Sequence, residues 1–142
     1  MYISRVDLNL KNIEDLERLR YDAYDMNSLE IPYLDTFYAN EMKKGKYVVY
    51  VCYNNLELVG ACYVSNAHKL YIEQIFVKKK YQSMGIGKIL LEYVLNNKKQ
   101  IEEYFNEEYD YSYLSPKSNS YNKYYEELGY KEVDSMYMKK RL

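Results

Sequence analysis

Apolar residues recur along this chain with two spacings, one typical of strands and one typical of helices. Ile3 and Arg5 belong to an alternating stretch near the N-terminus, which predicts a first strand. Apolar residues three and four positions apart follow, and Asn12 offers a side-chain oxygen to cap the helix that they predict. The apolar face of this helix consists of Ile13, Leu16, Leu19, Ala23 and Tyr24. A second helix is predicted over residues 34–44, before Gly45.

Three runs rich in β-branched and aromatic residues come next, at residues 47–53, 58–64 and 70–77. The turn pair Asn54-Asn55 separates the first two runs, and residues 66–69 separate the last two. Such short separations join neighbouring antiparallel strands. The runs therefore predict a three-stranded antiparallel meander.

The spacing becomes helical again at Ile86, where a wide apolar stripe is typical of a helix that packs on a sheet. Lys98 and Lys99 suit the negative C-terminal end of that helix, and a charged stretch follows them. The rest of the chain predicts a strand at 109–114, a helix that Ser118, Asn119 or Ser120 caps and Gly129 ends, and short strands at 131–133 and 136–140. These elements indicate an α/β (α+β) fold.

The length of 142 residues is ordinary for one domain and no linker-like segment interrupts it, so we expect a single domain over residues 1–142. The 20 Lys and Arg residues balance 21 Asp and Glu residues, and a net charge of −1 argues against nucleic acid or an anionic membrane as partners. No stretch resembles a signal peptide or a membrane span. We therefore expect a soluble, cytoplasmic protein.

Metal and thiol chemistry have little support in the sequence. Cys52 and Cys62 lie inside strand-like runs, where we expect buried free thiols, and they match neither a zinc site nor a disulfide framework. His68 lies in a predicted turn without a cluster of metal ligands around it. We expect an exposed His68 and no bound metal.

Residues 77–87 have the outline of an anion-binding site. A strand ends at Val77, a basic turn follows, and Gly85 and Gly87 stand at the start of an amphipathic helix. Backbone N–H groups in the first turn of a helix lack partners and carry partial positive charge, and glycine lets a phosphate approach the main chain closely. Positive charge nearby comes from Lys78, Lys79, Lys80 and Lys88.

Two common phosphate motifs do not fit this segment. A P-loop requires Ser or Thr after Gly-Lys, but Ile89 follows Gly87-Lys88, and position 82 is not glycine. A dinucleotide fingerprint requires a third glycine where Leu90 stands, and hairpin strands rather than βαβ units precede it. Nucleic-acid binding through residues 78–80 and the interleaved tyrosines remains an alternative.

The segment Gln82-Ser83-Met84-Gly85-Ile86-Gly87 resembles the acyl-CoA signature of the GNAT acetyltransferase superfamily, Gln/Arg-x-x-Gly-x-Gly/Ala at a strand-to-helix junction. Residues 75–82 resemble the family's strand and basic turn, and Tyr125-Glu126-Glu127-Leu128-Gly129-Tyr130 is similar to its later Tyr-Glu-Lys-Leu-Gly-Phe block. The order of the predicted elements also fits. The resemblance implies the GNAT acyltransferase fold, with a central mixed, mostly antiparallel sheet of about six to seven strands flanked by about four helices.

The resemblance also implies acetyl-CoA as the co-substrate. Its pyrophosphate would lie on the backbone amides of Gln82, Ser83, Met84, Gly85, Ile86, Gly87 and Lys88. The sheet would splay apart beside the strand edge that pairs with the pantetheine amides, which consists of Ile75, Phe76 and Val77. A main-chain N–H near Phe76 would then face the thioester carbonyl and stabilise the developing oxyanion.

Tyr125 matches the family tyrosine that lies close to the CoA sulfur and protonates the departing thiolate. A core position on an apolar helix face is the alternative, and the neighbouring Tyr124 competes for the role. The four-residue step to Gly129 favours Tyr125. The family often has Asn seven residues before this tyrosine, whereas this chain has Ser118, so no pantetheine contact is assigned to that loop.

Glu73 is the only carboxylate on the strand that leads to the candidate cofactor site, so we expect it to act as general base for the acceptor ammonium. Strand alternation predicts that Glu73 faces the same way as Tyr71, Ile75 and Val77. A solvent-facing or capping carboxylate is the alternative. Four acids between the first two predicted helices favour a cationic acceptor, although a solvated surface explains them as well: Asp22, Asp25, Glu30 and Asp35.

The resulting hypothesis is an N-acetyltransferase that moves an acetyl group from acetyl-CoA to a primary amine by direct attack in a ternary complex. A covalent intermediate is not expected because neither cysteine belongs to the site. The acceptor is a small-molecule or peptide amine, and a homodimer is compatible with the sequence. The alternative is an acyl-CoA-binding or sensor module of the same fold that lacks catalysis.

Overall fold

The computed structural model of the chain describes residues 1–26 and 31–142. Within them, seven strands form one sheet with five α-helices around it. The strands are β1 (Tyr2–Arg5), β2 (Val48–Asn54), β3 (Glu57–Ser65), β4 (Leu70–Val77), β5 (Tyr111–Leu114), β6 (Lys131–Glu132) and β7 (Met138–Arg141). The helices are α1 (Leu10–Ala23), α2 (Phe37–Lys43), α3 (Ile86–Asn96), α4 (Lys98–Phe105) and α5 (Asn122–Glu127).

The strands lie in the order β1-β2-β3-β4-β5-β7-β6, and every neighbouring pair is antiparallel except β4 and β5. The predicted meander is confirmed as β2-β3-β4. The mixed, mostly antiparallel sheet of an α/β fold is confirmed with it. Helices α3 and α4 cover one face through residues such as Leu90 and Ile101, and α1 and α2 cover the other through Leu16 and Met42.

Helix α1 begins earlier than the sequence predicts. Its N-cap is Asn9, whose side chain accepts a hydrogen bond from the Asn12 backbone N–H at 2.8 Å. Asn12 is therefore a residue of the first turn, and its own side chain donates to the Asp7 carbonyl. The prediction of Asn12 as the cap is wrong because both asparagines have suitable oxygens and only the observed start pairs one with a free amide.

The charged stretch after α3 is a helix that the sequence analysis did not predict. Ile101 is completely buried in the core beneath it, and Lys98 lies 3.8 Å from the Glu102 carboxylate one turn later. Asn106 ends the helix in the left-handed conformation, at φ 53°. The helix has only eight residues, most of them charged or polar, and Ile101 alone is buried, which explains the omission.

A buried ion pair within α1 connects this helix to α2 and β3. Glu17 has no exposed surface and accepts hydrogen bonds from the Arg20 guanidinium at 2.9 Å, from Thr36 Oγ1 at 2.6 Å and from the Tyr63 hydroxyl at 2.9 Å. Buried charges are tolerated when their oxygens are satisfied in this way. The network fixes α1, the N-cap of α2 and strand β3 relative to one another.

The two parallel strands separate after a short contact. β4 and β5 pair only where Leu70–Ile72 lies opposite Ser112–Leu114, yet β4 continues to Val77. Among the described residues no strand covers the β5 side of β4 from Glu73 onward. A cleft therefore opens beside the second half of β4, at the place where the basic turn and α3 follow.

Candidate functional site

The open edge of β4 presents the backbone groups of Ile75 and Val77. The Lys78 N–H donates to the Val59 carbonyl of β3 at 2.7 Å, and Ala61 lies opposite Phe76 in the same register. Hydrogen-bonded pairs alternate along antiparallel strands, so the N–H and C=O of Phe76 point toward β3. The groups of Ile75 and Val77 point into the cleft, so the candidate oxyanion donor belongs to one of these two residues rather than to Phe76.

Side chains donate hydrogen bonds to both carbonyls that face the cleft. The Tyr24 hydroxyl donates to the Ile75 carbonyl at 3.2 Å, and Gln82 Nε2 donates to the Val77 carbonyl at 2.9 Å and to the Ala23 carbonyl at 3.0 Å. The glutamine of the signature motif thus connects the end of β4 to the end of α1. Its side chain has a structural task, and the backbone of the loop is left to face a ligand.

The loop after β4 contains backbone N–H groups without backbone acceptors, here called free amides. In the part of the chain that the structure describes, the amides from Ser83 to Lys88 have no backbone acceptor, and the first amide of α3 with one is that of Ile89. Gly85 is left-handed at φ 80°, a conformation that disfavours other residues. These amides lie at the positive end of α3, which makes the loop suited to a pyrophosphate.

Gly87 allows a close approach at the same helix terminus. A Cβ atom there would lie 3.3 Å from the Tyr124 hydroxyl and 3.9 Å from the Val77 side chain. Any larger side chain would fill the space above the free amides. Tyr124 therefore borders the loop of free amides.

The lysines of the basic turn are largely engaged by acids. Lys78 and Lys80 lie 2.9 and 3.4 Å from Glu57, and Lys79 lies 2.6 Å from Asp25. Hydrogen bonds from Lys78 and then Tyr81 lower the pKa of Glu57 to about 2. The turn thus brings less free positive charge to a ligand than its sequence predicts, and the backbone amides carry more of the anion site.

Tyr125 lies deeper in the cleft than Tyr124. Its ring packs against the core beneath α3 and lies 6.2 Å from the Tyr130 ring, whereas the Tyr124 side chain is 40% exposed. Burial first, and then the neighbouring phenols of Tyr124 and Tyr24, raise the pKa of Tyr125 well above its usual value. A phenol in this setting keeps its proton at neutral pH, so Tyr125 is present in the form that can donate a proton.

A β-bulge changes the direction of Glu73. Tyr63 lies opposite Gln74 while Val64 lies opposite Ile72, so Glu73 is an extra residue in β4. The bulge reverses the alternation: Ile75 packs on the α3 side, whereas Glu73 accepts a hydrogen bond from Ser65 Oγ at 2.8 Å on the α1–α2 side. The predicted common face with Ile75 and Val77 is wrong, because the sequence does not reveal the bulge.

Glu73 is half-buried, and burial raises the pKa of its carboxyl, with a further increase from Glu41 on α2. Tyr71 lies beside it, and burial and then the Glu73 charge raise the pKa of Tyr71 to about 12. Next to Tyr71, a cluster of aromatic rings surrounds His68. The His68 ring lies 5.6, 6.4 and 5.0 Å from the rings of Tyr71, Tyr113 and Tyr137. His68 itself is exposed, as predicted.

The acids between α1 and α2 have other partners. Asp22 accepts a hydrogen bond from the Lys79 backbone N–H at 3.1 Å, and Asp25 pairs with the Lys79 side chain. Asp35 lies in a 3-10 turn before α2, and Glu30 lies outside the described residues. Asp22 and Asp25 therefore hold the basic turn that precedes the free amides. The negative charge beside the rings of Tyr71 and Tyr137 comes from Glu73 and Glu41.

Sequence reasoning missed Tyr24 and Lys117 as residues of the cleft. Tyr24 follows the end of α1, and the Lys117 ammonium, from the loop after β5, lies 4.3 Å from the centre of its ring. The two side chains meet across the opening between β4 and β5. Neither belongs to a motif, and only the packing of α1 beside the splayed strands brings them together.

A sequence model described as an acetyltransferase (GNAT) domain matches residues 45–132. This range holds β2 through β6, and with them both walls of the cleft. The chain belongs to the GNAT acetyltransferase family. Its resemblance to that superfamily, stated above from two motifs, is confirmed, and acetyl transfer is the chemistry of the family.

Relatives support the same assignment over nearly the whole chain. A probable N-acetyltransferase, san, from Drosophila melanogaster is 23% identical over 133 residues, which span 91% of this chain and 68% of that protein. The PaiA N-acetyltransferase from Thermoplasma acidophilum, solved with coenzyme A, superposes with a TM-score of 0.71 at 17% identity over 100% of both chains. An aminoglycoside 6'-acetyltransferase type Ii superposes with a TM-score of 0.72 at 20% identity, over 99% and 97% of the two chains. The two structures show that this GNAT chain shares their fold.

Other features of the GNAT chain lie outside this cleft. A cavity of about 430 Å³ opens between α1 and the β2–β3 hairpin, with mixed apolar and charged walls that include Leu16, Arg18 and Glu57. Cys52 and Cys62 are buried free thiols, as predicted. Within residues 1–26 and 31–142, no group of three or more His, Cys, Asp or Glu side chains is arranged to hold a metal, and no helix is long and apolar enough to cross a membrane.

Proposed function

We propose that this GNAT chain transfers an acetyl group from acetyl-CoA to a primary amine by direct attack in a ternary complex. One observation carries the proposal: the unpaired edge of β4 leads directly into the run of free amides at the start of α3. A strand edge binds an extended chain that carries amides, and a helix N-terminus binds a phosphate. Coenzyme A contains both groups in that order.

The donor site assigns a task to each segment. The amides from Ser83 to Lys88 hold the pyrophosphate, and the β4 edge at Ile75 and Val77 pairs with the pantetheine arm. The thioester carbonyl then accepts a hydrogen bond from a cleft-facing N–H of this edge. That bond strengthens as negative charge develops on the oxygen, which lowers the barrier to attack.

The transfer step uses one proton acceptor and one proton donor. Glu73 accepts a proton from the acceptor ammonium directly or through water, since Glu73 lies two residues, on the order of 7 Å along the strand, from Ile75. The neutral amine nitrogen then attacks the thioester carbon and loses its second proton to solvent. The carbon–sulfur bond then breaks with its electrons on sulfur. Tyr125 gives its proton to the departing thiolate, and solvent restores the phenol.

The proposed acceptor is an aliphatic amine of a small molecule or a peptide, which enters from the α1–α2 side. The carboxylate of Glu73 attracts an ammonium group, and the rings of Tyr71 and Tyr137 offer faces to the attached chain and the charge. A second copy of the chain in a homodimer remains compatible with this site.

A thiol-release assay over a panel of amines tests the proposal. The panel contains alkyl amines, amino sugars, amino acids and lysine-containing or N-terminal peptides, with acetyl-CoA in each reaction. We expect release of CoA that depends on the amine, and a gain in the mass of the accepted amine that corresponds to one acetyl group. Binding of CoA without release for any amine would instead support a non-catalytic acyl-CoA sensor.

A further inference from the structure

Each of the two carbonyls that face the cleft accepts a hydrogen bond from a side chain, and one of these side chains is held more firmly than the other. Gln82 bonds the Val77 carbonyl and has a second acceptor at Ala23, so two hydrogen bonds hold its amide in place. The Tyr24 hydroxyl has one bond to the Ile75 carbonyl, at the longer distance of 3.2 Å. The hydrogen bond to the Ile75 carbonyl is therefore the easier one to break.

Tyr24 is held in the cleft by its packing against the core and by two contacts of its ring. Its ring lies 6.2 Å from the Phe76 ring of β4, and the Lys117 ammonium lies 4.3 Å from its centre on the side of the β5–α5 loop. Lys117 is exposed and belongs to a loop. A contact of this kind at an exposed site is worth little, so the ring rests mainly on its packing against the core on the α1 side. Its hydroxyl, 3.2 Å from the Ile75 carbonyl, needs to move only slightly to release that carbonyl.

An arm that extends along the open edge of β4 needs the position that the Tyr24 hydroxyl fills. The pantetheine arm has amide N–H groups, and strand addition satisfies such groups with the outward carbonyls of the edge strand. Gln82 holds the Val77 carbonyl in this chain, so the Ile75 carbonyl is the one that the arm can take. A phenol bonded to the Ile75 carbonyl therefore stands where the middle of the arm would lie.

We propose that Tyr24 is a positioning residue of the donor site, whose hydroxyl competes with the pantetheine arm for the Ile75 carbonyl. The hydroxyl satisfies this carbonyl in the free protein, yields it when acetyl-CoA binds, and takes it back as CoA leaves. This inference rests on the proposed function. It predicts that the native tyrosine weakens CoA binding and speeds product release.

The test compares CoA binding by calorimetry in wild type, Tyr24→Phe and Tyr33→Phe, together with the melting temperature of each. Tyr33→Phe removes a phenol that also lies near α1 but is not bonded to the cleft. We expect the dissociation constant of CoA to fall about three- to tenfold in Tyr24→Phe, the equivalent of one net hydrogen bond, and to stay unchanged in Tyr33→Phe.

A second pair of variants tests the contact between the Lys117 ammonium and the Tyr24 ring. Lys117→Met is compared with Lys139→Met, which removes a similar cation–ring contact, 5.0 Å from Tyr111, outside the cleft. Lys117→Met should lower the dissociation constant about twofold, and Lys139→Met should not. In turnover assays, Tyr24→Phe should lower the KM for acetyl-CoA without raising kcat, because product CoA leaves more slowly.

The outcomes separate this inference from the proposed function. If the wild type binds no CoA, both are overturned. If the wild type binds CoA but Tyr24→Phe binds it equally or more weakly, Tyr24 does not compete with the arm and this inference alone fails. Tighter binding by Tyr24→Phe with an unchanged Tyr33→Phe supports it.

Discussion

The donor side and the acceptor side of the cleft are built in different ways. The donor side consists mainly of backbone groups, at the edge of β4 and in the loop from Ser83 to Lys88. The acceptor side consists of side chains from separate elements, among them Glu73 on β4, Glu41 on α2 and Tyr137 before β7. In the proposed mechanism, the backbone site follows from a short motif and binds a constant ligand, acetyl-CoA. The side-chain site can vary without disturbing it, so one fold accommodates different amines.

The largest expected effect is a loss of kcat in a variant that still binds CoA normally. Tyr125→Phe removes the proposed proton donor and leaves the ring in place. We expect kcat to fall about 100-fold or more, while the dissociation constant of CoA stays within about twofold. Steady-state kinetics and calorimetry measure the two quantities, with Tyr121→Phe, an exposed tyrosine of the preceding turn, as the control. Equal kcat in Tyr125→Phe and wild type would remove Tyr125 from the mechanism.

Glu73→Gln tests the acceptor side, with an expected fall in kcat of about 10- to 100-fold at neutral pH.

Burial raises the pKa of Glu73, so the folded protein binds a proton there more tightly than the unfolded chain. This stabilising effect is present below the unfolded pKa, near 4.5, and is lost as the pH rises through the folded pKa. Glu73→Gln should therefore melt higher than wild type at pH 7 and similarly to it below about pH 4.

The same pKa determines the acid side of the rate profile. Glu73 must be ionised to accept a proton, so the wild-type rate should fall with decreasing pH at a value above that of an ordinary glutamate. In Glu73→Gln this fall should be absent. A variant that keeps both the wild-type rate and the wild-type profile would show that Glu73 is not the base.

Gly87→Leu tests the donor side through the backbone approach. Its side chain would meet Tyr124 and cover the free amides, so we expect the dissociation constant of CoA to rise about tenfold or more. Calorimetry measures the change, and circular dichroism checks that the fold is intact. Ile89→Leu, an exposed position in the next turn of α3, is the control. Unchanged CoA binding in Gly87→Leu would place the pyrophosphate elsewhere.

The smallest expected effect concerns charge at the donor side. Lys88 has no acid within ion-pair distance among the described residues, whereas Lys78, Lys79 and Lys80 each do. Lys88→Met should weaken CoA binding about two- to threefold at low salt, and less at high salt because ions screen exposed charges. Lys80→Met should have a smaller effect. A larger loss for Lys80→Met would mean that the ligand displaces Glu57.

The sequence predicted the donor side better than the acceptor side, for a physical reason. Strand β4 and the start of α3 follow from local signals: a β-branched run, two glycines and a change of period at Ile86. The bulge at Glu73 leaves no such signal, because an extra residue appears only when β3 and β4 are paired. Tyr24 and Lys117 meet through tertiary packing alone. The α4 helix was missed because only Ile101 is buried in it.

Site-resolved amide hydrogen exchange with and without CoA shows whether the ligand lies along β4 and the start of α3. We expect saturating CoA to slow exchange about tenfold or more at Ile75, at Val77 and in the loop from Ser83 to Lys88, where the free protein has no backbone acceptors. Exchange around the separate cavity between α1 and the β2–β3 hairpin should not change. Protection confined to that cavity, with none from Ile75 to Lys88, would contradict the account.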